Sequence, residues 1–87
     1  MTTTPETGVV PALRVHPADD VAVLLAPAAA GTPVRAGDVR IVARGDIPAG
    51  HKVALRALDA GAPVHKYGSA IGRARAAIAA GDWVHVA

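Results

Sequence analysis

The sequence predicts an all-β fold made of many short strands, and two observations support this prediction. Valine, with 12 copies, is the main large apolar residue, and β-branched side chains favour strands. The nine glycines and seven prolines separate short apolar stretches, which is typical of a chain that turns often. The length of 87 residues allows one domain at most, and a small core is expected because 21 residues are alanine.

A short internal repeat supports the same fold class. An Ala-Gly dipeptide is followed by a valine, three residues after the glycine, in four places: Ala30-Gly31 with Val34, Ala49-Gly50 with Val53, Ala60-Gly61 with Val64 and Ala80-Gly81 with Val84. Three copies have an apolar residue two places before the alanine, at Ile47, Leu58 and Ile78. Glycine adopts a positive φ without steric cost, so each copy predicts a tight turn that leads into a short strand with its valine in the core.

The predicted elements are as follows, in chain order. Residues 1–12 are predicted to be a flexible tail, because threonine, proline, glutamate and glycine cannot bury an apolar face, and residues 13–87 are then the folded domain. Strands are predicted at residues 14–16, 21–25, 39–43, 52–56, 64–67, 70–74 and 83–86. The alanine-rich stretch 74–81 favours one or two short helical turns that end at Gly81.

Composition argues against several classes of function. The net charge is only +2 with dispersed arginines, and there is one Trp and one Tyr, so the chain lacks the basic patch and stacking aromatics of a nucleic-acid-binding protein. Without cysteine it has no disulfide and no Cys-ligated metal. No apolar stretch approaches the roughly 20 residues of a membrane span, and no secretory signal is recognisable, so a cytoplasmic protein without a membrane partner is expected.

The four histidines are candidates for proton transfer or metal binding: His16, His51, His65 and His85. No two of them have the local spacing of a metal site, so any shared site has to be assembled by the fold. The alternative is that all four are ordinary surface histidines. In "HPADD", Asp19 and Asp20 are either a turn signal before a strand or carboxylates that orient an imidazole or help to hold a metal.

Both lysines of the chain directly follow a histidine, in His51-Lys52 and His65-Lys66. Successive side chains of a strand point to opposite faces, so each dipeptide is expected to offer one residue to a site and the other to solvent or a partner. The chain has no glycine-rich phosphate loop of standard spacing, and no Gly-x-Ser-x-Gly elbow surrounds its only serine, Ser69. Classical nucleophilic hydrolysis therefore has no support in the sequence.

Four ordered motifs, "HPADDVAV", "IPAGHKVALR", "AGAPVHKYGSAIGRA" and "IAAGDWVHV", resemble the small N-terminal domain of the altronate and galactarate dehydratase family. The same domain is the separate small subunit of sulfolactate sulfo-lyase. The resemblance covers about residues 13–86 and implies an SAF domain with a β-clip fold, related to antifreeze-like domains.

The resemblance also implies a function. Enzymes of this family are lyases that remove water, or sulfite, from a 2-hydroxy acid, and they generally depend on a divalent metal such as iron. It implies a small subunit that works with a separate large catalytic subunit and is not active alone. The alternative is a non-catalytic module that binds an acidic sugar or a protein. The acid, the leaving group and the number of copies are left open, with a homo-oligomer as one option.

Matching motifs carry six candidate site residues to this chain. The resemblance assigns His16, His51 and Lys52 to catalysis and Asp19, Lys66 and Tyr67 to substrate binding, and it assigns no metal ligand. The roles of base and acid are left open. The chain departs from the family in three places: Asp20 replaces a frequent Asn, the chain ends His85-Val86-Ala87 instead of His-Val-His-Asn, and His65 stands where an apolar residue is frequent. The resemblance therefore supports His65 less than Lys66 as a site residue.

Overall fold

A computed structural model of the chain describes residues 8–66 and 68–84, which form seven short strands. The strands are β1 (Val10–Leu13), β2 (Val21–Leu24), β3 (Pro33–Ala36), β4 (Val39–Val42), β5 (Lys52–Ala54), β6 (Pro63–Lys66) and β7 (Ser69–Arg73). These described residues contain no helix, so the predicted all-β class is confirmed. A helix long and apolar enough to span a membrane is accordingly not found among them.

The strands form two sheets. The larger has five strands in the order β4-β3-β1-β2-β5, and the smaller is the β6–β7 hairpin. All neighbouring strands are antiparallel except β1 and β3, which run parallel with Val10 opposite Val34. The curled sheet agrees with the SAF, or β-clip, fold that the resemblance implies.

The repeated unit is a β-turn, as predicted. Its four glycines have φ values between 81° and 93°, which is the conformation required at the third position of a type II turn. In each copy the residue after the glycine donates its backbone N–H to the carbonyl three residues earlier, over 3.0 to 3.3 Å. The four valines that follow, Val34, Val53, Val64 and Val84, are all buried. The local pattern therefore fixes both the turn and the side chain that enters the core.

The four turns associate in two pairs with the same hydrogen bonds. Ala28 and Ile47 form an antiparallel bridge between the first two copies, and Leu58 and Ile78 form the equivalent bridge between the last two. In each pair the turn glycine of one copy also donates to a carbonyl beside the other copy, over 2.7 or 2.8 Å: Gly31 to Ala43, Gly50 to Leu24, Gly61 to Ala74 and Gly81 to Ala54. We call the first pair, with hairpin β3–β4, lobe 1, and the second pair, with hairpin β6–β7, lobe 2.

Each lobe has its own small core, and strands β2 and β5 form the wall between them. Val21 pairs with Ala54 and packs in the core of lobe 2, whereas Ala22 pairs with Val53 and packs in the core of lobe 1. All four are at most 1% exposed. Because successive side chains of a strand alternate between faces, two adjacent strands supply both cores.

Three predictions about the elements were wrong. Residues 14–16 form no strand, and β1 instead occupies Val10–Leu13, so residues 10–12, which were assigned to the tail, belong to the sheet. Strand β3 is missing from the predicted strand ranges, although the first copy of the repeat predicts a short strand at Val34. The predicted helical turns at 74–81 are absent, because Ile78 and Gly81 bond to Leu58 and Ala54 and this tertiary pairing overrides the helix propensity of alanine. Of the predicted strand 83–86, Trp83 forms a single bridge with Val53, and residues 85 and 86 lie outside the described residues.

Candidate functional site

The loop that carries "HPADD" packs against hairpin β6–β7 of lobe 2. Asp19 and Asp20, at 6% and 1% exposed, are the only buried polar or charged side chains of the described residues. A carboxylate is almost never buried unless it is paired, so each one has to be held by donors. The backbone anchors the same contact, because the Asp20 N–H donates to the carbonyl of His65 over 2.9 Å.

Asp20 accepts hydrogen bonds on both carboxylate oxygens. Oδ1 accepts from Nε and Nη2 of Arg56, each at 2.6 Å. Oδ2 lies 2.8 Å from the backbone N of His65 and 2.9 Å from Nδ1 of its ring. Burial on its own raises the pKa of Asp20, but the hydrogen bonds from His65 and the charge and hydrogen bond of Arg56 outweigh it, so this pKa lies below its usual value. Asp20 is therefore ionised at neutral pH.

Asp19 holds the turn at His16 and the tip of the hairpin together. Its Oδ2 accepts the backbone N–H of His16 over 3.1 Å, and its Oδ1 accepts the backbone N–H of Gly68 over 2.8 Å. The His16 ring lies against Gly68, where a Cβ atom would come within 3.0 Å of the ring. The Nδ1 atom of His16 accepts the N–H of Ala18 over 3.0 Å. Asp19 thus stabilises a turn, as one interpretation of "HPADD" predicts, and the carboxylate that contacts an imidazole ring is Asp20, at His65.

His51 and Lys52 lie in a different part of the molecule. The backbone pairs His51 with Leu24, four positions along β2 from Asp20, or about 13 Å at the usual rise of a strand. The His51 ring packs edge-on against Trp83 with 4.9 Å between centroids. The structure of this chain therefore brings Asp19 and His16 together, whereas the backbone of His51 and Lys52 lies further along β2, opposite Leu24 and Val23.

Of the remaining candidate residues, the structure describes Lys66 but not Tyr67 or His85. Lys66 follows His65 on β6 and is half-buried beside the hairpin tip. Tyr67 and His85 lie outside the described residues.

The site does not fit a metal ion on the described residues of this chain. No three His, Asp or Glu side chains among residues 8–66 and 68–84 come together as a ligand set. The two buried carboxylates are also occupied, Asp20 by a guanidinium and the His65 ring, and Asp19 by backbone N–H groups. The metal that the resemblance implies is not expected to bind here.

Sequence reasoning missed Arg56, and it named His65 only among the four histidines and then set it aside. They lie 36 and 45 positions from Asp20, so no local spacing indicates the contact. One signal was present: Asp20 and His65 are two of the three departures from the family pattern, and the structure shows that these two departures contact each other.

These features define an all-β domain of paired β-turns whose buried carboxylates hold two histidines at one hairpin. Residues 10–87 match the family described as "Altronate/galactarate dehydratase SAF domain", and the chain belongs to this family. Altronate dehydratase of Escherichia coli (strain K12) is 47% identical over 73 residues, and that of Bacillus subtilis (strain 168) is 34% identical over 74 residues. These alignments cover 84% and 85% of this chain but only 15% of each dehydratase.

A third relative is closer to this chain in length. The (2R)-sulfolactate sulfo-lyase subunit alpha of Paracoccus pantotrophus is 50% identical over 48 residues, which are 55% of this chain and 72% of that subunit. The SAF domain thus occurs both as a small part of a long dehydratase and as most of a short lyase subunit.

Proposed function

We propose that this chain is the small subunit of a lyase that removes water or sulfite from a 2-hydroxy acid. The observation that carries the proposal is the likeness to the short sulfo-lyase subunit alpha, together with the family match over residues 10–87. The large catalytic part of the enzyme is then a separate subunit, and the small chain alone is inactive.

The groups around hairpin β6–β7 suit an acidic substrate. Arg56 uses Nε and Nη2 on Asp20, and 62% of its side chain is exposed, so the guanidinium keeps further N–H donors for a substrate carboxylate. Lys66 supplies a second positive charge near the hairpin tip. We propose that these cations and His16 face the substrate at the junction with the large subunit, and that Asp19 contributes to substrate binding by holding His16 and Gly68 in place.

Elimination from a 2-hydroxy acid needs a base next to the carboxylate, a positive charge for the developing enediolate and an acid for the leaving group. A divalent metal, for which the resemblance implies iron, would supply Lewis-acid stabilisation of that enediolate. Because the two buried carboxylates of the site are occupied, we assign the metal ligands to the large subunit. His51 and Lys52 remain proposed catalytic residues that the complex would have to bring to the substrate.

The alternative function is a module that binds an acid or a protein without catalysis. The exposed apolar residues Leu13, Val15 and Leu25, each more than half exposed, favour a protein contact. This observation fits a subunit interface equally well, so turnover has to decide between the two functions.

The test is reconstitution of the full chain with the large lyase subunit encoded in the same genome. Altronate, galactarate and (2R)-sulfolactate would be supplied, and 2-oxo acid and sulfite would be measured as products. We expect turnover of one acid by the complex and none by either chain alone. Binding of an acid by this chain without turnover in the complex would instead support the module. The cytoplasmic location stays a prediction, which cell fractionation tests.

A further inference from the structure

The ring of His65 has its orientation and its proton position fixed by Asp20. An ionised carboxylate has only acceptors, so the 2.9 Å contact between Asp20 Oδ2 and His65 Nδ1 requires the proton on Nδ1. The neutral ring then carries a lone pair on Nε2. Nε2 has no hydrogen bond to any residue of the described part, and the side chain is 35% exposed. The partly exposed ring therefore keeps Nε2 as its remaining proton acceptor.

The contact of the ring with Asp20 is more than the fold requires. Oδ2 already accepts the backbone N–H of residue 65 over 2.8 Å, a bond that any residue except proline could donate. Oδ1 is neutralised by Arg56. The ring of His65 therefore adds little to the satisfaction of the buried carboxylate, whereas the carboxylate determines which nitrogen of the ring is free.

His16 has the opposite arrangement at the same hairpin. Its Nδ1 accepts the N–H of Ala18, so the neutral ring carries its proton on Nε2 and is a donor there. Its ring lies against Gly68, three residues after His65. The hairpin tip thus combines one imidazole prepared to accept a proton with another prepared to donate one.

We propose that His65 is the proton acceptor of the lyase reaction and that Asp20 is its positioning residue, an inference that rests on the proposed function. Nε2 of His65 takes the proton from the carbon that bears the substrate carboxylate. The electron pair of that C–H bond forms a C=C bond, and the bond to the leaving group on the next carbon breaks with its own electron pair. Hydroxide leaves as water with the Nε2 proton of His16, whereas sulfite leaves as the anion.

The first test compares His65→Asn and His65→Gln in the reconstituted complex. The asparagine amide can donate to Asp20 from nearly the position of Nδ1, yet neither variant has a proton acceptor equivalent to Nε2. We expect both variants to fold and bind the large subunit, with kcat reduced by about 10²- to 10⁴-fold and KM changed much less. Wild-type kcat in the two variants would overturn the assignment of His65 while leaving the proposed function intact.

The second test follows the His65 ring nitrogens by ¹⁵N NMR in the full chain without a partner. The wild type is expected to carry the proton on Nδ1, and Asp20→Asn is expected to move the neutral ring toward the Nε2–H form and to reduce kcat of the complex at least about 10-fold. Asp38→Asn, at the exposed turn of hairpin β3–β4, is the matched control and should change neither property. An Nε2–H ring in the wild type would overturn the role of Asp20. A wild-type complex without any turnover would overturn the proposed function and this inference together.

Discussion

The two lobes are built from the same turns and the same hydrogen bonds, yet they have different surroundings. In lobe 1 the hairpin β3–β4 continues the sheet, because β3 pairs in parallel with β1. In lobe 2 the hairpin β6–β7 meets the His16–Asp20 loop, which offers buried carboxylates instead of a full strand. The repeated backbone is therefore a scaffold, and the chain segment laid beside each hairpin determines whether it carries a sheet or a polar site.

The fourth turn breaks the symmetry of the lobes most strongly. Substitution of its glycine, Gly81, is expected to have the largest effect on the stability of the fold. A Cβ on Gly81 would lie 1.9 Å from the carbonyl oxygen of Val42, whereas a Cβ on Gly61 meets nothing within 4 Å. Both have a positive φ, which costs an alanine about 1 to 2 kcal/mol. We expect Gly81→Ala to lower the free energy of unfolding in urea by about 3 kcal/mol or more, because overpacking is added to that strain.

Gly61→Ala is the matched control for the fourth turn, with an expected loss of only about 1 to 2 kcal/mol. Equal losses in the two variants would show that lobe 2 does not dock on lobe 1 through Gly81.

Acid stability should depend on lobe 2 through Asp20. The pKa of Asp20 is lowered in the folded state, so its contribution is fully present above the unfolded pKa of about 4 and is lost as the pH falls through the lower folded pKa. At pH 7 we expect Asp20→Asn to have an unfolding free energy about 1.5 to 3 kcal/mol lower than the wild type. On acidification the unfolding free energy of Asp20→Asn should fall by less than that of the wild type, because the variant lacks the carboxylate that becomes protonated. Urea unfolding between pH 7 and pH 2 measures both. An unchanged acid profile in Asp20→Asn, with Asp38→Asn as the reference, would contradict the role of the buried carboxylate.

A smaller loss of stability is expected from the aromatic contact between the fourth turn and lobe 1. His51 packs edge-on against Trp83, and such aromatic pairs contribute about 0.5 to 1.5 kcal/mol. His51→Ala should therefore lower the unfolding free energy by about this amount, and Trp83 fluorescence should report the altered environment. A loss above 3 kcal/mol would mean that His51 has a larger structural role than its exposed position indicates.

The smallest effect is expected at the hairpin of lobe 1. Arg14 and Asp38 form an ion pair of 3.3 Å, and the Asp38 side chain is almost fully exposed. Exposed ion pairs contribute at most about 1 kcal/mol, so Asp38→Asn should leave the thermal midpoint nearly unchanged. A large shift of the thermal midpoint would show that the exposed Asp38 contributes as much to stability as the buried Asp20, which would contradict the difference between the two hairpins.

The parts of the fold that sequence predicted are the local ones. Each Gly-x-x-Val unit contains its own reason to turn and to bury a valine, so the turns were predictable one by one. The parallel pairing of β1 with β3 and the shared wall of β2 and β5 were not, because they depend on hydrogen bonds between distant segments. The alanines at 74–81 misled the prediction for the same reason.

The site residues likewise divide into those that local sequence predicts and those that only the fold brings together. "HPADD" was recognisable because His16 and Asp19 are local neighbours in one turn. Arg56 and His65 reach Asp20 only in the folded chain, and each looks like an ordinary polar residue in the sequence. Asp20 and His65 both differ from the residues that are frequent in the family at these positions. This was the only sign of the pair, and a single sequence does not reveal that the two positions are in contact.

The most direct test of the site in lobe 2 is the exchange of the substrate proton next to the carboxylate, followed by NMR in D₂O with the reconstituted complex. Proton removal is measured there separately from departure of the leaving group. We predict that His65→Asn abolishes both deuterium incorporation and elimination, whereas His16→Gln slows loss of water more than it slows proton removal. Deuterium incorporation at the wild-type rate in His65→Asn would contradict the claim that lobe 2 supplies the proton acceptor.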